Sequence, residues 1–180
     1  MSSKRSLSAV MFADMVGYTA LMQADEARAM VLRRRMREVL EEGIGVHDGT
    51  LVQTYGDGVL ATFESALDAV RAGSWIQERL QSPPRVPVRI GLHAGDIVQD
   101  DEGAYGSGVN VASRVESLGP PGGVLMSKKV HDEVRNHPDV DTVDLGLFEL
   151  KNVGEPMRVY AMAGCAVPDP ATMANRLDVS

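Results

Sequence analysis

A tight β-hairpin is the clearest local signal in the chain. Two runs rich in β-branched and aromatic residues, at positions 51–55 and 59–63, flank the tripeptide Gly56-Asp57-Gly58. Glycine reaches the positive φ values that such turns require, so the pattern predicts two paired strands joined by this tripeptide. The hairpin would carry one carboxylate, Asp57, at its tip. Because Asp-Gly is common in turns, Asp57 taken alone is most simply a turn residue.

The bulk composition is that of an ordinary globular domain. The 180 residues suffice for one domain with its own core, and 44% of them are hydrophobic. A net charge of −7 argues against a general nucleic-acid-binding surface. The three arginines at positions 33–35 fall in a helical pattern followed by glutamates, so we interpret them as a solvated helix face. The single cysteine, Cys165, cannot form an internal disulfide, which suits a reducing compartment.

From the sequence pattern we expect neither a signal peptide nor a membrane span. The apolar run at residues 8–12 follows Lys4 and Arg5, but it is too short for the core of a signal peptide and Asp14 soon interrupts it. No stretch approaches the ~20 apolar residues of a membrane-spanning helix. We therefore expect a soluble, cytoplasmic segment that contacts no membrane and binds no nucleic acid.

Hydrophobic periodicity predicts a mixture of strands and helices. The nearly continuous apolar run at residues 7–13 predicts a strand buried on both faces, and Asp25 is placed to cap a long helix that ends near residue 47. A turn is predicted at residues 94–96 and an acidic, glycine-rich loop at 100–108. Further helices are predicted at residues 65–80, 109–118 and 128–135, and further strands at 86–93, near 97, and at 124–126, 141–151 and 157–161.

This order of elements favours an α+β fold with helices on the faces of a sheet. It contains no internal repeat and no domain boundary. We therefore predict one domain over residues 1–165. Residues 166–180 hold two prolines and little periodicity, which predicts a tail or the start of a linker.

Two carboxylates could meet in this fold. The first strand is apolar throughout and therefore central, with the hairpin paired beside it, so Asp14 at its end and Asp57 at the turn could point into one site. Two carboxylates in one site repel each other unless a cation lies between them, and Mg²⁺ favours one or two carboxylates plus phosphate oxygens. The alternative is that Asp14 merely caps the next helix. Backbone N–H groups suited to a phosphate would come from Met15, Val16, Gly17, Tyr18 and Thr19.

Five segments in the right order together resemble the catalytic domain of class III nucleotidyl cyclases, the adenylate and guanylate cyclases. The resemblance covers residues 8–162, nearly the whole chain. It implies a ferredoxin-like or polymerase-palm-like fold, with a mostly antiparallel central sheet flanked by helices. The segments are MFADMVGYTALM, LVQTYGDGVLATF, VRIGLHAGDIV, YGSGVNVASRVESL and FELKNVGEPMRVYAM.

The resemblance implies a two-metal reaction on a nucleoside triphosphate. Asp14, Met15 and Asp57 would form the site for two divalent cations, Mg²⁺ or Mn²⁺. The ribose 3′-hydroxyl would attack the α-phosphate, giving a cyclic 3′,5′-nucleotide and pyrophosphate. Two metals ~3.5–4 Å apart would activate the hydroxyl and stabilise charge on the phosphates, and no covalent enzyme intermediate is needed.

A second group of residues would act from the other subunit of a homodimer with shared active sites. Asn110 and Arg114 are four residues apart, so one helix face presents both. By resemblance, Asn110 orients the ribose and Arg114 stabilises the pentavalent phosphate, for which a guanidinium fork is suited. Lys151 resembles the lysine that meets the terminal phosphates.

The base-reading positions depart from the family pattern. Gln53 stands where adenylate-specific members usually carry lysine, and the second position, often aspartate, falls on Gly103, or on Glu102 if the loop slips by one. Glutamine can donate and accept, so it could read either adenine or guanine. By analogy with the family we expect ATP as the substrate, with GTP as the alternative. A nucleotide-sensing domain without turnover and a domain that only dimerises are the other hypotheses.

Overall fold

One mixed sheet organises the fold. The computed structural model describes residues 4–100 and 103–178. Its strands are β1 (Lys4–Met15), β2 (Thr50–Tyr55), β3 (Gly58–Phe63), β4 (Val88–Asp100), β5 (Gly103–Tyr105), β6 (Val124–Ser127), β7 (Thr142–Phe148) and β8 (Met157–Met162). They lie in the order β2-β3-β1-β4-β6-β8-β7, and β5 pairs with β4. Only β4 and β6 run parallel among the paired strands described, so the expectation of a mostly antiparallel sheet is confirmed.

Five α-helices within the described part of the chain cover the two faces of this sheet. They are α1 (Tyr18–Ala24), α2 (Glu26–Val46), α3 (Ala66–Leu80), α4 (Ser107–Leu118) and α5 (Lys128–Val134). As expected, Asp25 caps α2, since its side chain accepts a hydrogen bond from the Arg28 N–H. Across the described residues, no helix is both long enough and apolar enough to cross a bilayer.

Strand β1 is buried on both faces, as the sequence predicts. Successive side chains of a strand point to opposite faces of the sheet. Met11 joins the larger core, which contains the apolar faces of α2 and α3, whereas Val10 packs with Ala112 of α4. Helix α4 therefore covers the central strands on the face opposite to α2 and α3.

The turn predicted at residues 94–96 is wrong. Strand β4 continues through it to Asp100 and pairs with β1 along its whole length, from Met15↔Val88 to Lys4↔Gln99. Gly95 serves close packing here, because a Cβ atom at this position would lie 3.1 Å from the His93 ring and 3.6 Å from the Cα of Gly108, in α4. The loop predicted at 100–108 also contains β5 and the first residues of α4.

The segment predicted to be a tail returns to the sheet at its β7 edge. The Leu177 N–H donates to the Leu147 carbonyl at 2.8 Å, and the Asn175 carbonyl accepts from the Glu149 N–H at 3.0 Å. The Arg176 guanidinium adds a hydrogen bond from Nε to the Leu145 carbonyl at 2.8 Å. Sequence periodicity gave no indication of this pairing.

Candidate active site

Strand pairing brings Asp14 to the hairpin tip. In the β1–β3 register Asp14 lies opposite Gly58, the residue that follows Asp57. The Met15 N–H donates to the Asp57 carbonyl at 3.2 Å, which ties the turn to the end of β1. A Cβ atom at Gly58 would lie 3.2 Å from the Ala13 carbonyl oxygen, so glycine permits this close approach.

The carboxyl groups of Asp14 and Asp57 are close enough to interact directly. Burial raises the pKa of Asp14, and the charge of Asp57 together with a hydrogen bond between the two carboxyls raises it further. Arg89 and a hydrogen bond with Glu116 act in the opposite direction on that pKa. A site that holds two acidic groups so close together favours a bound cation.

Arg89 and Glu116 complete the charged cluster around Asp14, and local sequence pattern points to neither of them. Arg89 faces Asp14 across the β1–β4 pair, and its Nη2 lies 3.7 Å from both the Asp14 and the Glu116 carboxylate oxygens. Its Nη1 donates to the Ser117 carbonyl at 3.3 Å. The signal that could identify Arg89 is the register of β1 and β4, which places it opposite Asp14. That register cannot be read from either segment alone.

Glu116 is buried between α4 and the sheet. The α4 backbone is so close to β4 that a Cβ atom on Gly91 would clash with the Glu116 backbone nitrogen. Burial, and to a lesser degree the charge of Asp14, raise the pKa of Glu116 to about 7, although Arg89 opposes the shift. A carboxyl group in this position keeps its proton to a much higher pH than in the unfolded chain.

This shift predicts a pH-dependent stability. Between pH 4.5 and about 7 folded Glu116 retains a proton that the unfolded chain releases, so stability falls as the pH rises through this window. Glu116→Gln removes the ionisation. Relative to the unaltered chain, the variant should gain about 1–3 kcal/mol in free energy of unfolding between pH 5 and pH 8. Urea unfolding at both pH values measures the change, and an equal difference at both values would contradict the assignment.

A cavity of about 340 Å³ opens beside the two aspartates. Asp14, Asp57 and Arg89 line it together with Arg114 and Glu116 of α4. The lining therefore combines acidic groups with two guanidinium groups. Such a surface can hold a cation against the aspartates and an anionic ligand against the arginines.

The acidic groups fit a divalent cation whose shell a ligand completes. Among the described residues, no group of three or more His, Cys, Asp or Glu side chains is arranged to hold a metal by itself. Mg²⁺ commonly binds through one or two carboxylates together with substrate phosphates and water, and Asp14 and Asp57 supply that number. The Met15 side chain is only 2% exposed within the core, so Met15 could contribute only through its main chain.

The amides predicted to bind phosphate divide into two groups. The N–H groups of Met15 and Val16 already donate, to the carbonyls of Asp57 and Pro87. Gly17 has a φ of 74° and precedes α1. Tyr18 and Thr19 lie in the first turn of α1, where backbone N–H groups have no partner within the helix.

Asn110 and Arg114 are both held by the loop that contains Lys151. Asn110 Nδ2 donates to the Asn152 carbonyl at 3.3 Å, and Arg114 Nε donates to the Lys151 carbonyl at 3.1 Å. Lys151 lines a different cavity from the one beside Asp14, and Asn110 does not line the latter. Within one chain, the structure thus brings Arg114 but neither Asn110 nor Lys151 to the cavity of the aspartates.

The two positions predicted to read the base lie on strands that approach each other without pairing. Gln53 is half-buried in β2 opposite Leu60, and Gly103 pairs with Asp100 at the start of β5. Strands β2 and β5 contact each other. Glu102, the alternative for the second position, lies outside the described residues.

Comparison with known proteins identifies the family. The model of the adenylate and guanylate cyclase catalytic domain matches residues 2–164. The chain belongs to this family. Its sheet and helices have the cyclase fold, since the adenylate/guanylate cyclase/hydrolase from Silicibacter pomeroyi superposes with a TM-score of 0.83. That structure is 36% identical in sequence and is aligned over 93% of this chain and 100% of its own.

Curated relatives of this cyclase domain are longer proteins. "Putative adenylate cyclase 3" of Rhizobium meliloti is 39% identical over 88% of the domain, which spans 28% of that protein. An adenylate cyclase of Streptomyces coelicolor is 29% identical over 70% of the domain, which spans 34% of that protein. The cyclase domain thus corresponds to about a third or less of the length of these two relatives.

Proposed function

We propose that this cyclase domain converts a purine nucleoside triphosphate, ATP in the first instance, into the cyclic 3′,5′-monophosphate and pyrophosphate. The observation that carries the proposal is the convergence of Asp14, at the end of β1, and Asp57, in the turn between β2 and β3. The nearby charge of Asp57 raises the pKa of Asp14, and two carboxyl groups this close favour a bound cation. Membership of the cyclase family supports it. The cyclic product would serve in intracellular signalling.

Asp14 and Asp57 would hold two divalent cations, Mg²⁺ or Mn²⁺. When bound, the cations would supply Lewis-acid activation of the ribose 3′-hydroxyl and neutralise charge on the phosphates. Arg89 keeps a guanidinium beside the same cavity, where it can bind a phosphate oxygen of the triphosphate. The amides of Gly17, Tyr18 and Thr19 are the remaining candidates for phosphate contacts from this half of the site.

Asn110, Arg114 and Lys151 would complete the site from the partner subunit of a homodimer. The anchoring of Arg114 through Nε leaves its two terminal nitrogens, which match the oxygens of a phosphate, free of protein acceptors among the described residues. Asn110 would orient the ribose and Lys151 would meet the terminal phosphates. The separation of Asn110 and Lys151 from the aspartate cavity within one chain supports a site shared between two chains.

The product of the reaction tests the proposal. Purified protein is incubated with ATP or GTP and Mn²⁺, and the nucleotides are separated by chromatography. We expect cyclic AMP from ATP, and chelation of the metal should abolish it. Cyclic GMP as the main product would replace the substrate assignment, and nucleotide binding with no cyclic product would contradict the proposal.

The second candidate function is that of a domain that binds nucleotide without turning it over. Nucleotide binding with no cyclic product would support it. Gln53 and Gly103 favour it, because neither is the residue usually found at its base-reading position. The same two positions leave GTP as the alternative substrate.

Gln53→Lys tests whether Gln53 reads the base. A lysine donates hydrogen bonds but cannot accept them, so it suits N1 of adenine, which is an acceptor, and not the N1–H of guanine, which is a donor; glutamine can serve either. We expect the ratio of kcat/KM for ATP over GTP to rise by about ten-fold, the value of one good hydrogen bond to a charged group. Thr54→Lys, at the exposed neighbouring position, is the matched control. An unchanged ratio would place the base elsewhere.

A further inference from the structure

The three consecutive arginines of α2 differ in what they contact, contrary to their interpretation as one solvated face. Arg33 Nη2 donates to the Gly56 carbonyl at 3.0 Å. Arg35 Nη2 donates to the carbonyl of Arg79, in the last turn of α3, and to that of Ser82, just beyond the helix. Arg34 is exposed and makes no such contact among the described residues. The triplet therefore contains two anchors around one solvated residue.

Arg33 binds the turn that carries Asp57. Gly56 has a φ of 52° and immediately precedes Asp57 in the turn. The Asp57 carbonyl in turn accepts from the Met15 N–H at 3.2 Å. Two consecutive carbonyls of the turn are thus held by different elements, one by α2 and the other by the end of β1.

Arg33 also approaches α1. Its guanidinium carbon lies 5.9 Å from the centroid of the Tyr18 ring, within the range of a cation–π interaction. Tyr18 begins α1, four residues after Asp14. One side chain therefore connects the segment that follows Asp14 with the turn that contains Asp57.

We propose that Arg33 is a positioning residue that fixes the direction of the Asp57 carboxylate relative to Asp14. The inference rests on the proposed role of Asp57 in binding metal. Asp57 lies between two glycines, which give the turn wide conformational freedom. A hydrogen bond from a charged donor removes part of that freedom before the metal arrives, and a metal site needs its ligands held in place by such supporting contacts.

Binding of Mn²⁺ tests this role without requiring turnover. Calorimetry with the full chain and a non-cyclisable ATP analogue would compare Arg33→Met, Arg33→Lys and Arg34→Met, the last being the matched control on the same helix. Loss of one charge-assisted hydrogen bond should weaken Mn²⁺ binding by about five-fold in Arg33→Met. Arg33→Lys keeps one donor, so its loss should be no more than about two-fold. Arg34→Met should bind as the unaltered chain does.

Kinetics separate positioning from a general structural effect. For a positioning residue, the Mn²⁺ concentration at half-maximal activity should rise by about the same five-fold in Arg33→Met, while kcat at saturating Mn²⁺ stays within about two-fold. Equal Mn²⁺ affinity in Arg33→Met and Arg34→Met would overturn the inference. So would a parallel loss of kcat, affinity and thermal stability in both Arg33 variants.

Failure of the proposed function would look different. If the unaltered chain binds Mn²⁺ in an Arg33-dependent way but makes no cyclic product, the proposed turnover is wrong and the positioning role stands. If the unaltered chain makes product and the Arg33 variants bind Mn²⁺ normally, the proposed turnover stands and the positioning role of Arg33 is wrong. A chain that binds no Mn²⁺ with nucleotide would overturn both.

Discussion

Replacing either Asp14 or Asp57 by alanine should lower the rate of cyclic-nucleotide formation by about 10³-fold or more, the scale of losing a principal source of transition-state charge stabilisation. Each substitution removes half of the carboxylates that would hold the cations. The fold should survive, because the two carboxylates repel each other in the absence of metal, as the raised pKa of Asp14 indicates. Removing one of them relieves this repulsion. The thermal midpoint of Asp57→Ala should therefore equal or exceed that of the unaltered chain at neutral pH.

The matched control is Glu38→Ala, which removes an exposed carboxylate from α2 and should leave both activity and stability unchanged. Activity is measured at saturating Mn²⁺, and the thermal midpoint is measured without metal. A variant of either aspartate that retains more than about a tenth of the activity would contradict a central catalytic role. A variant that unfolds would instead assign the aspartate to structure.

Mixing Asp14→Ala chains with Arg114→Ala chains should restore activity that neither has alone. In a homodimer with shared sites, each mixed dimer has one site with both defects and one site with neither. Random pairing makes half of the dimers mixed, each with one of two sites intact, so we expect about a quarter of the unaltered activity. The measurement is the specific activity of the mixture after the two proteins have been unfolded and refolded together.

A second mixture is the control for this result. Asp14→Ala combined with Asp57→Ala should stay inactive, because both carboxylates of a site come from the same chain. Restoration in neither mixture would favour a site within a single chain, for which Arg114 borders the aspartate cavity. Restoration in both would mean that the chains exchange carboxylates, which the β1–β3 pairing within one chain contradicts.

The part of the site that depends on local pairing could be predicted from sequence. The glycines around Asp57 predict the turn, and the observed strands β2 and β3 follow the predicted hairpin within one residue at each end. The apolar run before Asp14 predicts a central strand. Since a hairpin pairs most simply with a neighbouring central strand, the approach of the two aspartates follows from short-range signals.

The part that depends on long-range register could not. Arg89 meets Asp14 only because β4 pairs with β1 along its whole length. The local sequence around Gly95 predicts a turn, whereas in the structure this glycine permits close packing within a continuous strand. Glu116 reaches the cluster because α4 docks closely against Gly91 of β4. The hydrophobic pattern of neither segment indicates that these two residues meet. The return of residues 175–177 to β7 rests on backbone hydrogen bonds, which leave little trace in side-chain composition.

Metal binding by Asp14 and Asp57 can be seen by diffraction from crystals grown with Mn²⁺ and a non-cyclisable ATP analogue, recorded at the manganese absorption edge. If Asp14 and Asp57 hold the cations, anomalous peaks will lie within coordination distance of both carboxylates, with the triphosphate of the analogue completing the shell. Peaks elsewhere on the molecule, or a bound analogue with no metal between these two side chains, would contradict it.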